Sequence, residues 1–266
     1  MCYTVKAATK KLQKYARHRG DEALVKELAL KLEKLEDEYQ PLYQAGGFGH
    51  PSILVFTNEK PFEPQLYSWG LIPSWVKDEA TAQKLRTQTL NARGETIWDK
   101  PSFRESAKQK RCLIYVDAFY EYHHQKNKTY PFHVSMKDDS PMVLAGLWEE
   151  WVNKETGEIV KTFSIVTTGG SPLMSRIHNN PKAEGARMPV ILSKEKQNEW
   201  LSPCKTEEDK ARLNQLIIPY EDSRLEFHTV QRLNGKESPG NTPEAEKEFL
   251  YPELDLERLM GLNLFE

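Results

Sequence analysis

Cys2 stands directly after Met1, and a small second residue permits removal of that methionine. Its loss leaves a free α-amine beside a thiol on one residue, a 1,2-aminothiol. An α-amine has a pKa of about 7.7–8.0 against about 10.4 for lysine, so near pH 7.4 roughly a third of it is neutral, compared with about one lysine in a thousand. An aldehyde therefore forms its imine at such a terminus before it does so at an ordinary lysine. The adjacent thiol can then close on the imine carbon, giving a five-membered thiazolidine that resists hydrolysis better than the open imine. Imine formation needs a proton delivered to a departing hydroxyl, which a histidine or a desolvated glutamate can supply near neutral pH.

The remaining cysteines offer less. Cys2, Cys112 and Cys204 lie too far apart for a zinc knuckle or a disulfide framework, and a reducing compartment is expected. Cys112 sits inside an apolar run and reads as a core thiol. His123 and His124 neighbour Glu121, but adjacent strand residues point to opposite faces, so no metal site is expected there and no cofactor anywhere.

The 266 residues carry 37 bases against 39 acids, a net charge of -2, so no global positive field advertises a polyanion. The charge is uneven. Lys100, Arg104, Lys108, Lys110 and Arg111 face the single Glu105, whereas residues 234–266 hold eight acids and three bases. A basic patch in mid-chain could hold phosphates while an acidic tail stays in solvent. The chain shows no apolar run near the roughly 18 residues of a membrane span and no charged-then-apolar leader, so a cytoplasmic protein is expected, without a membrane partner.

The elements that must position these residues divide in two. Residues 7–40 read as helix, with Leu24, Leu28, Leu32 and Leu35 at three- and four-residue spacing and a break at Gly20-Asp21 where Asp21 could cap. From Pro51 onward short β runs dominate: Ile53 to Phe56, Cys112 to Val116, Pro131 to Val134, Met142 to Ala145, Phe163 to Thr167 and Pro189 to Leu192. Gln125 to Lys128 and Asn153 to Gly157 read as hairpin tips. Helices return at Lys194 to Leu201 and Glu207 to Leu216, and Gly235 to Pro243 is turn-rich. The class is α+β, with mostly antiparallel strands.

Five further motifs follow Cys2 in order: Trp69-Gly70-Leu71-Ile72-Pro73-Ser74-Trp75, Asn91-Ala92-Arg93-Gly94-Glu95-Thr96, Asp117-Ala118-Phe119-Tyr120-Glu121-Tyr122, Ser175-Arg176-Ile177-His178-Asn179 and Arg187-Met188-Pro189-Val190-Ile191-Leu192. In these the sequence resembles the SOS-response-associated peptidase (SRAP) family, proteins that crosslink to abasic sites in single-stranded DNA. The likeness spans about seven-tenths of the chain. It implies a partly closed barrel with flanking helices, an SRAP domain over residues 1–233 with a helical insertion near 7–40, and an acidic tail over 234–266.

By that resemblance Cys2 is the crosslinking residue and Asn91 holds its amine or the sugar oxygen. Glu121 acts as acid or base in cleavage of the Met1–Cys2 bond and in loss of water. His178 moves protons to and from the sugar, and strand cleavage by β-elimination is a side activity. Arg93, Arg187, Lys108, Trp69 and Pro73 are the implied DNA contacts, and the partner is single-stranded DNA with an abasic site, bound by a monomer that is nucleoid-associated when on DNA. Read without the resemblance, Trp69 and Trp75 could be core, Asn91 a turn cap, Glu121 a solvated strand end and His178 a structural histidine.

This chain departs from the family pattern in several places. Its opening is Cys2-Tyr3-Thr4 where Cys-Gly-Arg is usual, so a phosphate-binding arginine is missing. Residues 180–186 are inserted between His178 and Arg187, Ala118 replaces a glycine, and Tyr122 replaces a tryptophan. Two other functions fit the same residues. A thiol peptidase acting on other proteins would pair Cys2 with His178 and need only the thiol, whereas the crosslinker also needs the amine. A non-catalytic single-strand binder would use Arg93, Lys108 and aromatics, and would be indifferent to Cys2.

Overall fold

The computed structural model describes residues 2–7, 14, 17–18, 22–35, 40–256 and 259. The break expected at Gly20-Asp21 and most of the stretch between residues 7 and 22 lie outside them. The described part of the helical opening is α1 (Glu22–Glu33), which buries Leu28 and Leu32 as the leucine spacing requires.

Five strands close a ring. β3 (Ser52–Thr57) pairs with β4 (Gln65–Trp69) and β6 (Arg111–Val116), β6 pairs with β9 (Met142–Val152), β9 pairs with β10 (Ile159–Gly169), and β10 returns to β4. The barrel expected to be partly closed thus has a continuous hydrogen-bonded wall, in which only the β10–β4 contact is parallel. At β3 after Ser52, and at β6, both faces of that wall are buried. Ile53, Val55, Cys112 and Ile114 join one apolar cluster, while the alternate residues Leu54, Phe56, Leu113 and Tyr115 join another that also contains the α1 leucines. A strand apolar on both faces reads as an unbroken run, which is why β3 and β6 are visible in the sequence.

Two short strands extend from β10: β5 (Asn91–Arg93), parallel to it, and β11 (Arg187–Pro189), antiparallel. A second sheet, all antiparallel, runs β12 (Leu225–Thr229), β8 (Lys128–Met136), β7 (Ala118–Gln125), β1 (Thr4–Ala7), β2 (Leu42–Gly46). β1 is therefore held on both sides, and the chain emerging from it toward Cys2 has little freedom.

Helices α2 (Glu79–Gln88), α3 (Arg104–Gln109), α4 (Pro172–Ile177), α5 (Lys194–Leu201) and α6 (Glu207–Asn214) lie between and after the strands. The acid-rich end of the chain packs back: Asn241 bonds the backbone of Tyr43 and Pro41, Phe249 donates to the Thr229 carbonyl, and Ala245 and Leu254 are buried. Among the described residues no helix is long and apolar enough to cross a membrane.

Candidate active site

Four chain segments converge on Cys2. The residue is fully buried just before β1, whose register with β7 sets Thr4 opposite Tyr120 and Val5 opposite Phe119. On the other side Gly47 donates its N–H to the Tyr3 carbonyl at 2.8 Å. Asn91, the first residue of β5, is fixed by the parallel pairing with Ile165 and donates from Nδ2 to the Cys2 carbonyl at 2.8 Å. Its Oδ1 is buried and accepts no hydrogen bond. A buried acceptor left open costs about 1–3 kcal/mol, so its retention beside Cys2 is informative.

Glu121 lies within β7 rather than at a strand end, and only 5% of it is exposed. His178 caps the C-terminus of α4, a helix started by Ser171, whose side chain accepts from Met174 N–H, and by Pro172. The His178 Nδ1 lies 3.1 Å from Glu121 Oε2 and 3.2 Å from the Arg187 carbonyl. Two acceptors face that nitrogen, so Nδ1 carries a proton. Burial pushes the Cys2 thiol well above its ordinary range, and the nearby Glu121 carboxylate adds to the effect. The group is a thiol and not a thiolate.

Two clefts open beside Cys2, and Tyr3 and Arg93 line both. One, of about 580 Å³, continues past Asn91, Thr96 and Phe103 to Lys100; the other, of about 370 Å³, runs past His178, Lys182 and Arg187. The first is lined by two cations and no acid. Arg93 meets Glu184 of the inserted segment at 2.9 Å.

The implied DNA contacts need correction. Trp69 is fully buried, donates its indole N–H to the Leu90 carbonyl and stacks on Phe163, so no base can reach it. Trp75, paired with it as a core alternative, is half exposed, whereas Pro73 is buried. Arg187 is committed internally, with its guanidinium paired bidentately to Glu95 and donating to the Thr167 carbonyl. Lys108 is exposed on α3 but lines neither cleft. The expected basic patch dissolves: Arg111 is buried with its donors on the carbonyls of Ala107, Lys108, Trp200 and Ser202, and Lys110 pairs with Glu149. Of that run only Lys100 reaches the first cleft.

Tyr3, Phe48 and Lys182 were not singled out in the sequence. Gly46-Gly47-Phe48-Gly49 carried a usable signal, because an aromatic inside a glycine turn has no core to enter. His123 spends Nδ1 on the Arg176 carbonyl, and among the described residues no group of three or more His, Cys, Asp or Glu could hold a metal ion.

The pattern of the SOS response associated peptidase (SRAP) family matches residues 1–236. The chain is 37% identical over 211 residues to the abasic site processing protein YoqW of Bacillus subtilis (strain 168), covering 79% of this chain and 87% of that protein. It is 28% identical to the abasic site processing protein HMCES of Xenopus tropicalis, over 79% of this chain and 66% of the relative. A crystal structure of a protein from Bacteroides thetaiotaomicron superposes with a TM-score of 0.79 at 31% identity, covering 94% of this chain and all of that one. A second, from Bordetella bronchiseptica, shares the fold at a TM-score of 0.65 and 23% identity, over 86% of this chain and 99% of the other. With the family pattern covering most of the chain and Cys2, Asn91, Glu121 and His178 drawn together, this protein belongs to the SOS response associated peptidase (SRAP) family.

Proposed function

We propose that this protein captures abasic sites in single-stranded DNA by covalent bonding through Cys2, protecting or processing the lesion. The observation that carries the reading is the convergence of Cys2, Asn91 and the buried Glu121–His178 pair from four separate segments. The relatives whose names declare abasic site processing support it.

In this reading hydrolysis of the Met1–Cys2 bond, assisted by Glu121, frees the α-amine. His178 carries a proton between the sugar's ring oxygen and its hydroxyl, opening the ring to the aldehyde. The amine adds to the aldehyde carbon, and Glu121 protonates the departing hydroxyl as water leaves to give the imine. The thiol sulfur then bonds to that carbon while its proton passes to the nitrogen. Amine, thiol and aldehyde become thiazolidine and one water. The imine also makes the adjacent sugar proton acidic, so strand cleavage by β-elimination is a side activity. Asn91 Nδ2 holds the Cys2 backbone, and its open Oδ1 is available to the amine or to a sugar hydroxyl. Arg93 and Lys100 receive flanking phosphates.

The raised thiol favours this reading over a thiol peptidase acting on other proteins. Such an enzyme attacks as thiolate, which burial beside Glu121 disfavours. In ring closure the imine nitrogen itself takes the thiol proton as the carbon–sulfur bond forms.

The test is incubation with an oligonucleotide carrying one abasic site, followed by denaturing electrophoresis and intact mass. The expected product has the mass of protein lacking Met1 plus DNA minus one water, and is absent with Cys2→Ala or an acetylated terminus. An adduct formed equally by Cys2→Ala, or by protein that retains Met1, overturns the mechanism.

A further inference from the structure

Next to Cys2 the surface carries an aromatic pair that the reaction does not use. Tyr3 and Phe48 stack with ring centroids 5.3 Å apart and planes 26° from parallel. Tyr3 is half-buried, whereas Phe48 is 63% exposed, an unusual place for a ring of that size.

The pair is held from below. Gly47 N–H is bonded to the Tyr3 carbonyl, which ties the Phe48 turn to the residue following Cys2. Beneath the turn lie Trp69 and Leu90, so close that a β-carbon on Gly47 would come within 3.2 Å of the Trp69 ring and of Leu90. A larger residue there would need Leu90 or Trp69 to give way by a few tenths of an ångström, or the turn to move. Trp69 thus acts as a foundation, and the ring presented to solvent above it is Phe48. Around Tyr3 the charged lining of the larger cleft is Arg93 and Lys100, with no acid. Cations beside an exposed stacked ring match a strand of phosphates and bases.

We propose that the Tyr3–Phe48 pair is a nucleobase subsite that stacks on the base flanking the lesion and takes the place of the missing one. The inference rests on the reading of Cys2 as the group that captures the abasic sugar. An abasic sugar leaves its neighbour with one face unstacked, and that face is apolar and the size of an aromatic ring. Because Tyr3 directly follows Cys2, a sugar whose carbon reaches Cys2 has its neighbouring base at the pair. An intact strand offers such a face only by unstacking its own bases, so the subsite favours lesion over undamaged DNA, and a purine neighbour over a pyrimidine because its π surface is larger.

The test measures equilibrium binding of the full chain to labelled single strands carrying tetrahydrofuran, which has no carbonyl, at the lesion position. The base on each side is removed in turn by a second tetrahydrofuran. For the parent protein, removal on one side is expected to weaken binding about tenfold, within the range of base–aromatic stacking. Phe48→Ala is expected to bind the full strand about tenfold more weakly and to lose sensitivity to that base, while Phe48→Trp restores it. Phe48 is exposed, so these variants leave the core intact. Equal sensitivity in parent and Phe48→Ala, or none in the parent, overturns the subsite. Adduct formation on the abasic strand is scored separately: its absence in the parent defeats the capture reading, while the stacking result stands on the tetrahydrofuran strands.

Discussion

β1 carries a buried polar cluster at each end, and the two behave differently. At the Cys2 end, His178 Nδ1 faces the Glu121 carboxylate and a carbonyl, and the smaller cleft is lined by His178. At the Lys6 end, Lys6 pairs with Glu246, and His133 stacks on His228 at 4.8 Å under the turn Pro243–Glu246, which accepts from His228. Neither ring nitrogen of His133 has a partner. Burial, then the neighbouring His228 and Lys6, hold its pKa down to about 3. Burying a histidine therefore does not make it a proton carrier. A carrier needs an opposite charge beside it: Glu121 Oε2 lies 3.1 Å from His178 Nδ1, whereas the groups that bear on His133 are His228 and Lys6.

The largest effect that sharpens this contrast is on chemistry. Glu121→Gln and His178→Ala are each expected to slow single-turnover adduct formation by about 10²–10⁴, the range for a lost acid–base group. His133→Phe, equally buried in the same sheet, should leave the rate unchanged. Comparable slowing in all three variants would break the distinction.

The next effect is on stability. His133 titrates lower in the folded chain, about 3, than its ordinary value of 6.5, so the unfolded chain takes the proton first. Stability from keeping His133 neutral is complete above about 6.5 and is lost as pH falls toward 3, by about 1.4 kcal/mol per pH unit. Denaturant unfolding at pH 7.5 and pH 5 should show the parent losing about 2 kcal/mol more than His133→Phe. Equal losses would mean that other groups carry the acid sensitivity.

Asn91 tests how far positioning matters at the Cys2 end. Asn91→Ala removes the Nδ2 bond to the Cys2 carbonyl and the open Oδ1 together. The adduct rate should fall about tenfold, about 1.4 kcal/mol, less than loss of Glu121 or His178. A rate unchanged while the melting temperature drops would reduce Asn91 to a structural bond.

The sequence exposes some of this architecture and conceals the rest for identifiable reasons. β3 and β6 are visible because both of their faces are buried. β7, which follows β6 after Asp117, is not, because Glu121, His123 and His124 break its apolar pattern and the site supplies that polarity. α2 buries only Ala82, so no stripe marks it. The residues proposed to react, Cys2, Asn91, Glu121 and His178, are legible in the order of the motifs. The surface proposed to meet DNA does not emerge, because residue type does not show which side chains are already committed. Glu95 claims Arg187, carbonyls claim Arg111, and the Gly47 turn covers Trp69. Composition likewise marks the acidic end of the chain but not the burial of Ala245 and Leu254.

The smallest effect concerns how open the Cys2 end is. Residues 180–186 lie along the smaller cleft, and Glu184 holds Arg93 at 2.9 Å with side chains 81% and 43% exposed. An exposed ion pair is worth about 0–1 kcal/mol, weak enough for a phosphate to displace the carboxylate. Displacement exchanges one internal ion pair for one to DNA, so Arg93 adds little to the salt dependence while Glu184 is present. Glu184→Gln should tighten binding to a tetrahydrofuran strand by less than about fivefold. It should also steepen the plot of log affinity against log salt by about 0.7, the increment for one phosphate on a single strand. In an Arg93→Gln background the same substitution should change neither quantity. If it still tightens binding there, Glu184 acts through the general field of the cleft, and the inserted segment does not guard Arg93.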